Sequence, residues 1–397
     1  MQTVDVLVVG AGLAGLSTAR LLARRGLDVM VVDRRRSLSA GVRTTGIFVR
    51  RTLDDFDLPG HLLGPGVRDV LLYPPSRRSP IRLTSDRDEF RVADMAAVYE
   101  HARRAAESAG ARVLLGVRYT GSSSGLIRLE RTSGAEGVDG VDGVVGVVGV
   151  EVVGVRFVVG ADGARSRVAR DLGLDVNRRF LVGAEIVHAV APGSGVPAFH
   201  CVLDPRVAPG YLGWVVDDGR HAHVGVAGEP GVMRAGVRRL LDAFAADAPG
   251  RATPVGPVER RGGPIPVGGV LRRLACPDGL LVGDAAGAVS PLTAGGLDPC
   301  LRMSELAASV IADYLRTGDR EVLKRYDGAA LRARFRGRLL LRRLSAGIRS
   351  PVAAEAAVTV LRTRPGRALA ARILFGDGSF PELEPRLAAG VGTVRRP

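Results

Sequence analysis

The stretch Asp5-Val-Leu-Val-Val-Gly10-Ala-Gly12-Leu-Ala-Gly15 restricts the fold of this chain more than any other. Val4 to Val9 is a short apolar run closed by glycine, the pattern of a strand buried in a parallel sheet. Leu13, Leu16, Leu21 and Leu22 recur at helical spacing, and Gly26 stops the helix they predict over Leu13 to Arg25. Asp28 to Asp33 reads as a second strand ending in an acid. Strand, turn, helix, strand and acid within about thirty residues form a βαβ unit of the dinucleotide-binding kind. Gly10 permits the tight turn, Gly12 lets backbone approach a pyrophosphate, and Gly15 lets the helix lie close on the strand. The free N–H groups and positive dipole end of the helix then face the phosphates. Asp33 is placed to accept hydrogen bonds from a ribose hydroxyl.

The 397 residues, 46% of them hydrophobic, are enough for one large or two ordinary globular domains. No run of about twenty uncharged apolar residues occurs, and the chain enters its first strand without a signal-peptide pattern, so a cytoplasmic protein is expected. Cys201, Cys276 and Cys300 are too few and too scattered for a disulfide framework or a zinc site, so no metal is expected. The net charge is +15, and Lys324 is the only lysine. Arginine-for-lysine usage with 53 glycines is the mark of a GC-rich genome, which discounts the charge as a functional signal. Aromatic residues make up 4%, which argues against nucleic-acid binding. An anionic substrate or peripheral membrane contact stays open.

Further along, residues 34–60 are polar and broken and read as a loop returning towards the first motif. Within it, Gly41-Val-Arg43-Thr44-Thr45-Gly46 sets an arginine and two hydroxyls between glycines, either as an ordinary solvated loop or as a contact to a ligand's ring or phosphate. Residues 67–92 alternate in short pieces and predict antiparallel strands. Asp94 is placed to cap a helix to about Ser108, followed by a strand over Arg112 to Val117. A valine–glycine repeat within 121–155 reads as an expanded β-hairpin without chemistry. It leads into Phe157-Val-Val-Gly160-Ala-Asp162-Gly163, a strand ending in an acid and glycines where doubly wound sheets bind ligands. Residues 180–270 alternate again, with an amphipathic helix over Arg234 to Ala246 and a turn-rich stretch from Pro249 to Pro266. Gly279 to Gly287 returns to strand and acidic turn, and Ser290 to Leu297 opens a long helix through about Leu315. Residues 320–375 read as arginine-rich helices, either packed on the core or lying on a membrane surface.

Three motifs in this order, Gly10–Asp33, Gly160-Ala-Asp162-Gly163 and Gly283-Asp284, resemble the FAD-binding signatures of the aromatic-hydroxylase-like flavoproteins, the p-hydroxybenzoate hydroxylase fold. The resemblance implies FAD. It places the ADP part on Gly10, Gly12, Leu13, Ala14 and Gly15, with Asp33 and Arg34 beyond. Arg43 and Thr44 approach the ring or a phosphate, Asp162 and Gly163 lie near the pyrophosphate, and Gly283 and Asp284 take the ribityl chain. Pro291, Gly295, Gly296 and Leu297 face the pyrimidine edge, where helical N–H groups stabilise a reduced flavin. The run from Gly283 to Leu297 with Met303-Ser-Glu-Leu, and Pro209-Gly-Tyr211-Leu-Gly-Trp214, resemble the geranylgeranyl reductase branch. Tyr211 and Trp214 are therefore candidates to line a substrate pocket, or are ordinary sheet core. Val216 and Asp217 replace a phenylalanine and proline of that branch, and the 43–46 loop lacks a cysteine many of its members carry.

The expected fold class is α/β: a Rossmann-like FAD-binding domain with an inserted, mainly antiparallel substrate domain and a C-terminal helical segment. The FAD-binding domain takes residues 1–66, 93–176 and 271–320, the substrate domain 67–92 and 177–270, and the helical region 321–397. Two activities fit: reduction of C=C bonds in a prenyl or other lipophilic small molecule, or monooxygenation of a metabolite with NAD(P)H and O₂. Neither needs a second dinucleotide fingerprint, so any NAD(P)H docks transiently as reductant. A third reading, with a structural flavin and no redox step, has no motif behind it. The sequence assigns no catalytic acid or base and no oligomeric state.

Overall fold

The computed structural model describes residues 2–375 apart from 124, 134–145, 192–196, 234–235, 252–253 and 334. The chain opens with β1 (Gln2–Val9), α1 (Leu13–Ala23) and β2 (Val29–Asp33). It continues with β3 (Ile47–Val49), α2 (Arg50–Asp55), β4 (Leu63–Val67), β5 (Asp69–Tyr73), β6 (Ile81–Thr84) and β7 (Phe90–Ala93). Then come α3 (Met95–Ser108), β8 (Arg112–Leu115), β9 (Val117–Ser123), β10 (Leu126–Ser133), β11 (Gly146–Gly160) and α4 (Arg167–Asp171). A second run of strands follows: β12 (Phe180–Ala189), β13 (Ala198–Val202), β14 (Gly213–Asp217) and β15 (His221–Gly228). Next are α5 (Pro230–Met233), α6 (Val237–Ala246), β16 (Val255–Pro266), β17 (Ala275–Cys276) and β18 (Gly279–Leu281). Helices close the described chain: α7 (Leu297–Thr317), α8 (Gly328–Ala333), α9 (Arg336–Ala346), α10 (Pro351–Leu361) and α11 (Arg364–Leu374).

One sheet runs β17-β18-β11-β1-β2-β8, with β18, β11, β1, β2 and β8 parallel. Parallel strands covered on both faces must be apolar throughout, and Val6 to Val9 and Val29 to Val32 are almost completely buried. The amino-terminal half of β11 pairs antiparallel with β10, which makes the expected hairpin; its tip, 134–145, lies outside the described residues. A second sheet runs β16-β12-β15-β14-β13-β5-β6, and a third β3-β7-β4.

Asp94 caps α3, accepting the Ala97 N–H at 3.1 Å, as its position predicts. Three expectations need correction. The stretch 34–60 is not loop throughout, because Arg50–Asp55 forms α2 and its Thr52 hydroxyl donates to buried Asp298 at 2.9 Å. Pro249 to Pro266 is not chiefly turns, because Val255–Pro266 is a 12-residue strand. It pairs only with β12, and an edge strand tolerates prolines that a central strand would reject. The strands of 67–92 also divide: β5 and β6 join the second sheet, with β5 parallel to β13, while β7 belongs to the third.

Removing the α3 cap leaves an N–H donor unpaired. Asp94→Ala is expected to lower stability by about 1 kcal/mol in urea denaturation of the apo-protein.

Candidate functional site

The three glycine-bearing turns lie side by side at the carboxyl ends of β1, β11 and β18. Their contact is backbone on backbone. A Cβ at Gly15 would run into the Gly10 carbonyl oxygen, and one at Gly10 into the carbonyl of Ala161. A Cβ at Gly283 would come within 2.7 Å of the Ala14 methyl. Gly12 and Gly163 differ: a Cβ at either meets nothing within 4 Å. Both therefore border open space at the rim of these turns, which is the cradle a pyrophosphate requires. Gly12 starts α1 and Gly296 starts α7, and no side chain caps either helix. Their first N–H groups are left for a ligand.

The acids behave unequally. Asp162 spends Oδ2 on the Arg167 and Val168 N–H groups, at 2.6 and 3.2 Å, and its buried Oδ1 has no partner. Burial pushes its carboxyl upward. Asp284 has an exposed surface yet lies deep, and burial pushes its carboxyl up to about 6. Deep placement and solvent access together put it at the floor of an open cleft. No described protein group hydrogen-bonds its carboxyl oxygens, and Gly296 lies beside it, where a Cβ would be 3.5 Å from Oδ1. Asp162 Oδ1 is thus a buried polar atom without a partner, and the exposed Asp284 carboxyl is open to a ligand. Together with the Gly12 and Gly163 cradle, they fit a bound FAD.

Asp33 is more constrained than its position suggests. Its Oδ2 accepts the Ala11 N–H at 2.7 Å, and Arg35 grips the carboxylate through Nε at 3.1 Å and Nη2 at 2.9 Å. Burial alone would raise its pKa, but Arg35 outweighs that and holds it low. Arg34, beside it in sequence, is exposed, whereas Arg35 also reaches the Ala11 carbonyl and lies over the Tyr99 ring at 5.8 Å. Tyr99 on α3 packs against the core, and burial pushes its hydroxyl up to about 12, with Asp284 adding to the rise and Arg35 opposing it. Arg35 and Tyr99 escape a sequence reading because a polar arginine run and a helical tyrosine carry no spacing signal.

The opposite wall is one face of the second sheet. Register puts Leu181, Gly183 and Glu185 of β12 beside Ile265, Gly263 and Arg261 of β16, and Glu185 and Gly183 beside Gly225 and Ala227 of β15. Trp214 of β14 pairs with Gly225 and lies across it. Leu181, Ala227, Val267, Ile265, Tyr211 and Trp214 cluster with Ala294 of the loop before α7, so this face meets the third motif. Ala294 sits at φ 54°, a strained setting for a residue with a Cβ. The 43–46 loop packs on the same face. Exposed Arg43 passes beside Gly263, Thr44 Oγ1 accepts the Gly46 N–H at 3.3 Å, and Thr45 donates to Glu185 at 2.6 Å. Trp214 packs against the core, and its Nε1–H donates to Glu185 at 3.2 Å. Pro291 and Gly295 lie in the loop closed by the Ser290 N–H on the Gly295 carbonyl at 2.9 Å, and Leu297 packs with Leu13 and Val42.

Comparison with known proteins bears on the same geometry. The FAD binding domain family matches residues 3–62. A digeranylgeranylglycerophospholipid reductase of Methanopyrus kandleri is 30% identical over 343 residues, 81% of this chain and 84% of that protein. The chain belongs to the geranylgeranyl reductase family of FAD-dependent oxidoreductases. A second family member, the digeranylgeranylglycerophospholipid reductase of Methanothrix thermoacetophila, is 28% identical over 79% of each chain. Among solved structures, a geranylgeranyl bacteriochlorophyll reductase-like protein from Thermoplasma acidophilum has a TM-score of 0.74 at 21% identity, covering 94% of this chain and all of that one. A probable FAD-dependent monooxygenase from Pseudomonas aeruginosa has a TM-score of 0.64 at 20% identity, covering 90% of this chain and all of that one. These structures share the family's fold.

Gly12 and Gly15 separate binding from folding. Gly12→Val is expected to fold and purify colourless, because its side chain enters only the ligand's space. Gly15→Val is expected to be insoluble, because the side chain collides with the Gly10 carbonyl. Visible absorbance and far-ultraviolet circular dichroism distinguish the two outcomes.

Proposed function

We propose that this flavoprotein saturates carbon–carbon double bonds in the prenyl chain of a lipophilic substrate. The observation that carries the proposal is the extent of its similarity to reductases named for a prenyl lipid. In this reading the cofactor's ADP half lies against Gly10, Gly12, Leu13, Ala14 and Gly15, with Asp33 held in place by Arg35. Gly163 faces the pyrophosphate with Asp162 near it, and Asp284 takes the ribityl hydroxyls. The loop from Pro291 to Leu297 flanks the ring. Reduced FAD supplies a hydride when bound, and NAD(P)H serves as a transient reductant.

The chain's own residues bind and orient the alkene. Half-buried Ile265, Trp214 and Tyr211, packed over the closed Leu181, Ala227 and Val267 cluster, give the substrate face an apolar floor. Such a floor favours a hydrocarbon and excludes water. Arg342 lies over the Tyr211 ring at 5.5 Å and donates to the Gly210 carbonyl, and Arg338 donates to Ser290 Oγ at 3.2 Å. These contacts fasten α9 behind both the tyrosine loop and the third motif.

The outward face of α9 supports peripheral contact with a membrane that carries the substrate. Leu340 and Leu344 are 58% and 63% exposed, with Arg336 and Arg343 exposed beside them, and Val352 and Val360 are exposed on α10. No helix among the described residues is long and apolar enough to cross a membrane. Apolar side chains ringed by arginine suit the headgroup boundary of an anionic bilayer.

Two measurements check these readings. Dithionite-reduced enzyme, mixed anaerobically with a geranylgeranyl lipid, should reoxidise and yield product with two more hydrogens per saturated bond. A C4a-oxygenated flavin that forms with O₂ and hydroxylates substrate, with no anaerobic turnover, would favour monooxygenation instead. Leu340→Ser/Leu344→Ser should co-sediment less with vesicles containing anionic phospholipid than with neutral ones relative to wild type; equal co-sedimentation removes the membrane contact.

A further inference from the structure

The substrate face contains a row of buried ionisable groups that hydride transfer does not require. Glu185 points from β12 towards the cofactor side of the sheet, opposite the face of Ile186 that packs with α6 residues. Its Oε1 accepts two hydrogen bonds from different parts of the chain: Thr45 Oγ1 at 2.6 Å, 140 residues away in sequence, and Trp214 Nε1 at 3.2 Å. Its Oε2 faces His223 Nδ1 at 3.6 Å, an ion pair longer than a hydrogen bond. His223 Nε2 lies 3.3 Å from Asp218 Oδ2 in the turn between β14 and β15. Asp218 is itself tied down by the N–H groups of Arg220 and His221, at 2.8 and 2.6 Å. Glu185 and His223 are 4% and 3% exposed, too buried for water to screen their charges.

We propose that Glu185 is a positioning residue: its carboxylate locks the 43–46 loop and Trp214 into one geometry across the cofactor–substrate boundary, and the His223–Asp218 pair maintains its charge. A buried carboxylate would otherwise take up a proton and loosen both bonds. The inference rests on the proposed placement of the 43–46 loop against the cofactor.

Burial alone would strip the proton from His223, but Asp218 and Glu185 outweigh it and push its pKa up to about 9. Burial also acts to raise Glu185, and His223, Thr45 and Trp214 outweigh it and hold it low. The other ionisable groups near it are His221, which shares Asp218, and Arg261, which lies opposite Glu185 and is itself held by Glu259 at 2.8 Å. A raised histidine pKa stabilises the folded state fully below about 6.5. That contribution fades as pH climbs through about 9.

Three variants test the lock. Thr45→Val removes one bond, Thr45→Ser restores the hydroxyl, and Glu185→Gln keeps the acceptor oxygen while discarding the charge. All are compared with wild type as FAD-loaded protein. Thr45→Val should change the visible circular dichroism of the flavin and lower kcat by roughly tenfold to a hundredfold, with KM changed less, and Thr45→Ser should recover both. Glu185→Gln should shift the His223 imidazole titration, followed by proton NMR, and the alkaline limb of the pH profile to lower pH. A wild-type flavin spectrum and kcat in Thr45→Val, or an unmoved His223 titration in Glu185→Gln, overturns the proposal. If wild type reduces no alkene, the prenyl reading fails by itself, while the dichroism and NMR arms still decide the lock.

Discussion

The rest of the structure depends on how closely three backbone turns approach one another. Gly15 presses on the carbonyl of Gly10, Gly10 on Ala161, and Gly283 on the methyl of Ala14, with no room for a further carbon at any of the three. Van der Waals repulsion rises so steeply at these separations that one added methyl group would force strand ends apart. The same closeness aligns the carboxyl ends of β1, β11 and β18 and aims two uncapped helix starts into one cleft. That packing stops at Gly12 and Gly163, where a further carbon would meet nothing within 4 Å.

Unsatisfied polar groups reinforce that reading. A folded protein seldom buries a carboxylate oxygen without a partner, because the lost hydration is costly. Asp162 leaves one such oxygen, and exposed Asp284 adds a carboxyl that no described protein group holds. Asp33 contrasts with both. Arg35 already satisfies it, which fixes the end of β2 and the Ala11 N–H as one rigid corner. Rigidity at that corner and open valence elsewhere are complementary requirements of a site that must hold a large cofactor in one orientation.

Across the cleft, charge is used to hold shape. The second sheet offers an apolar floor, yet Glu185, His223 and Asp218 lie within it as a compensated row. The C-terminal helices use charge similarly. On α9, Arg342 is buried and Arg338 half-buried, and Leu339 packs on the core, while Leu340 and Leu344 face outward. Guanidinium groups reach the Gly210 carbonyl and Ser290, and Leu340 and Leu344 are released to the surface.

The residues along the chain already specified the βαβ start, the three glycine-bearing turns, the Asp94 cap and the alternating strands of the second sheet. All of these are local. A glycine spacing, a capping side chain or a period of two acts through neighbours a few residues away, so it is written in order along the chain. Arg35 rather than Arg34 on Asp33, Tyr99 beneath Arg35, the prolines of β16 on an edge and the inward arginines of α9 had no such signature. Nor did the meeting of Thr45, Glu185 and Trp214. Each depends on which surface arrives opposite, and a charge's partner or a strand's edge position exists only once distant segments have packed. Sequence alone therefore determined that three turns of this chain carry the marks of one cofactor site; the tertiary structure decided which side chains close around it, because burial and pairing are properties of neighbours in space.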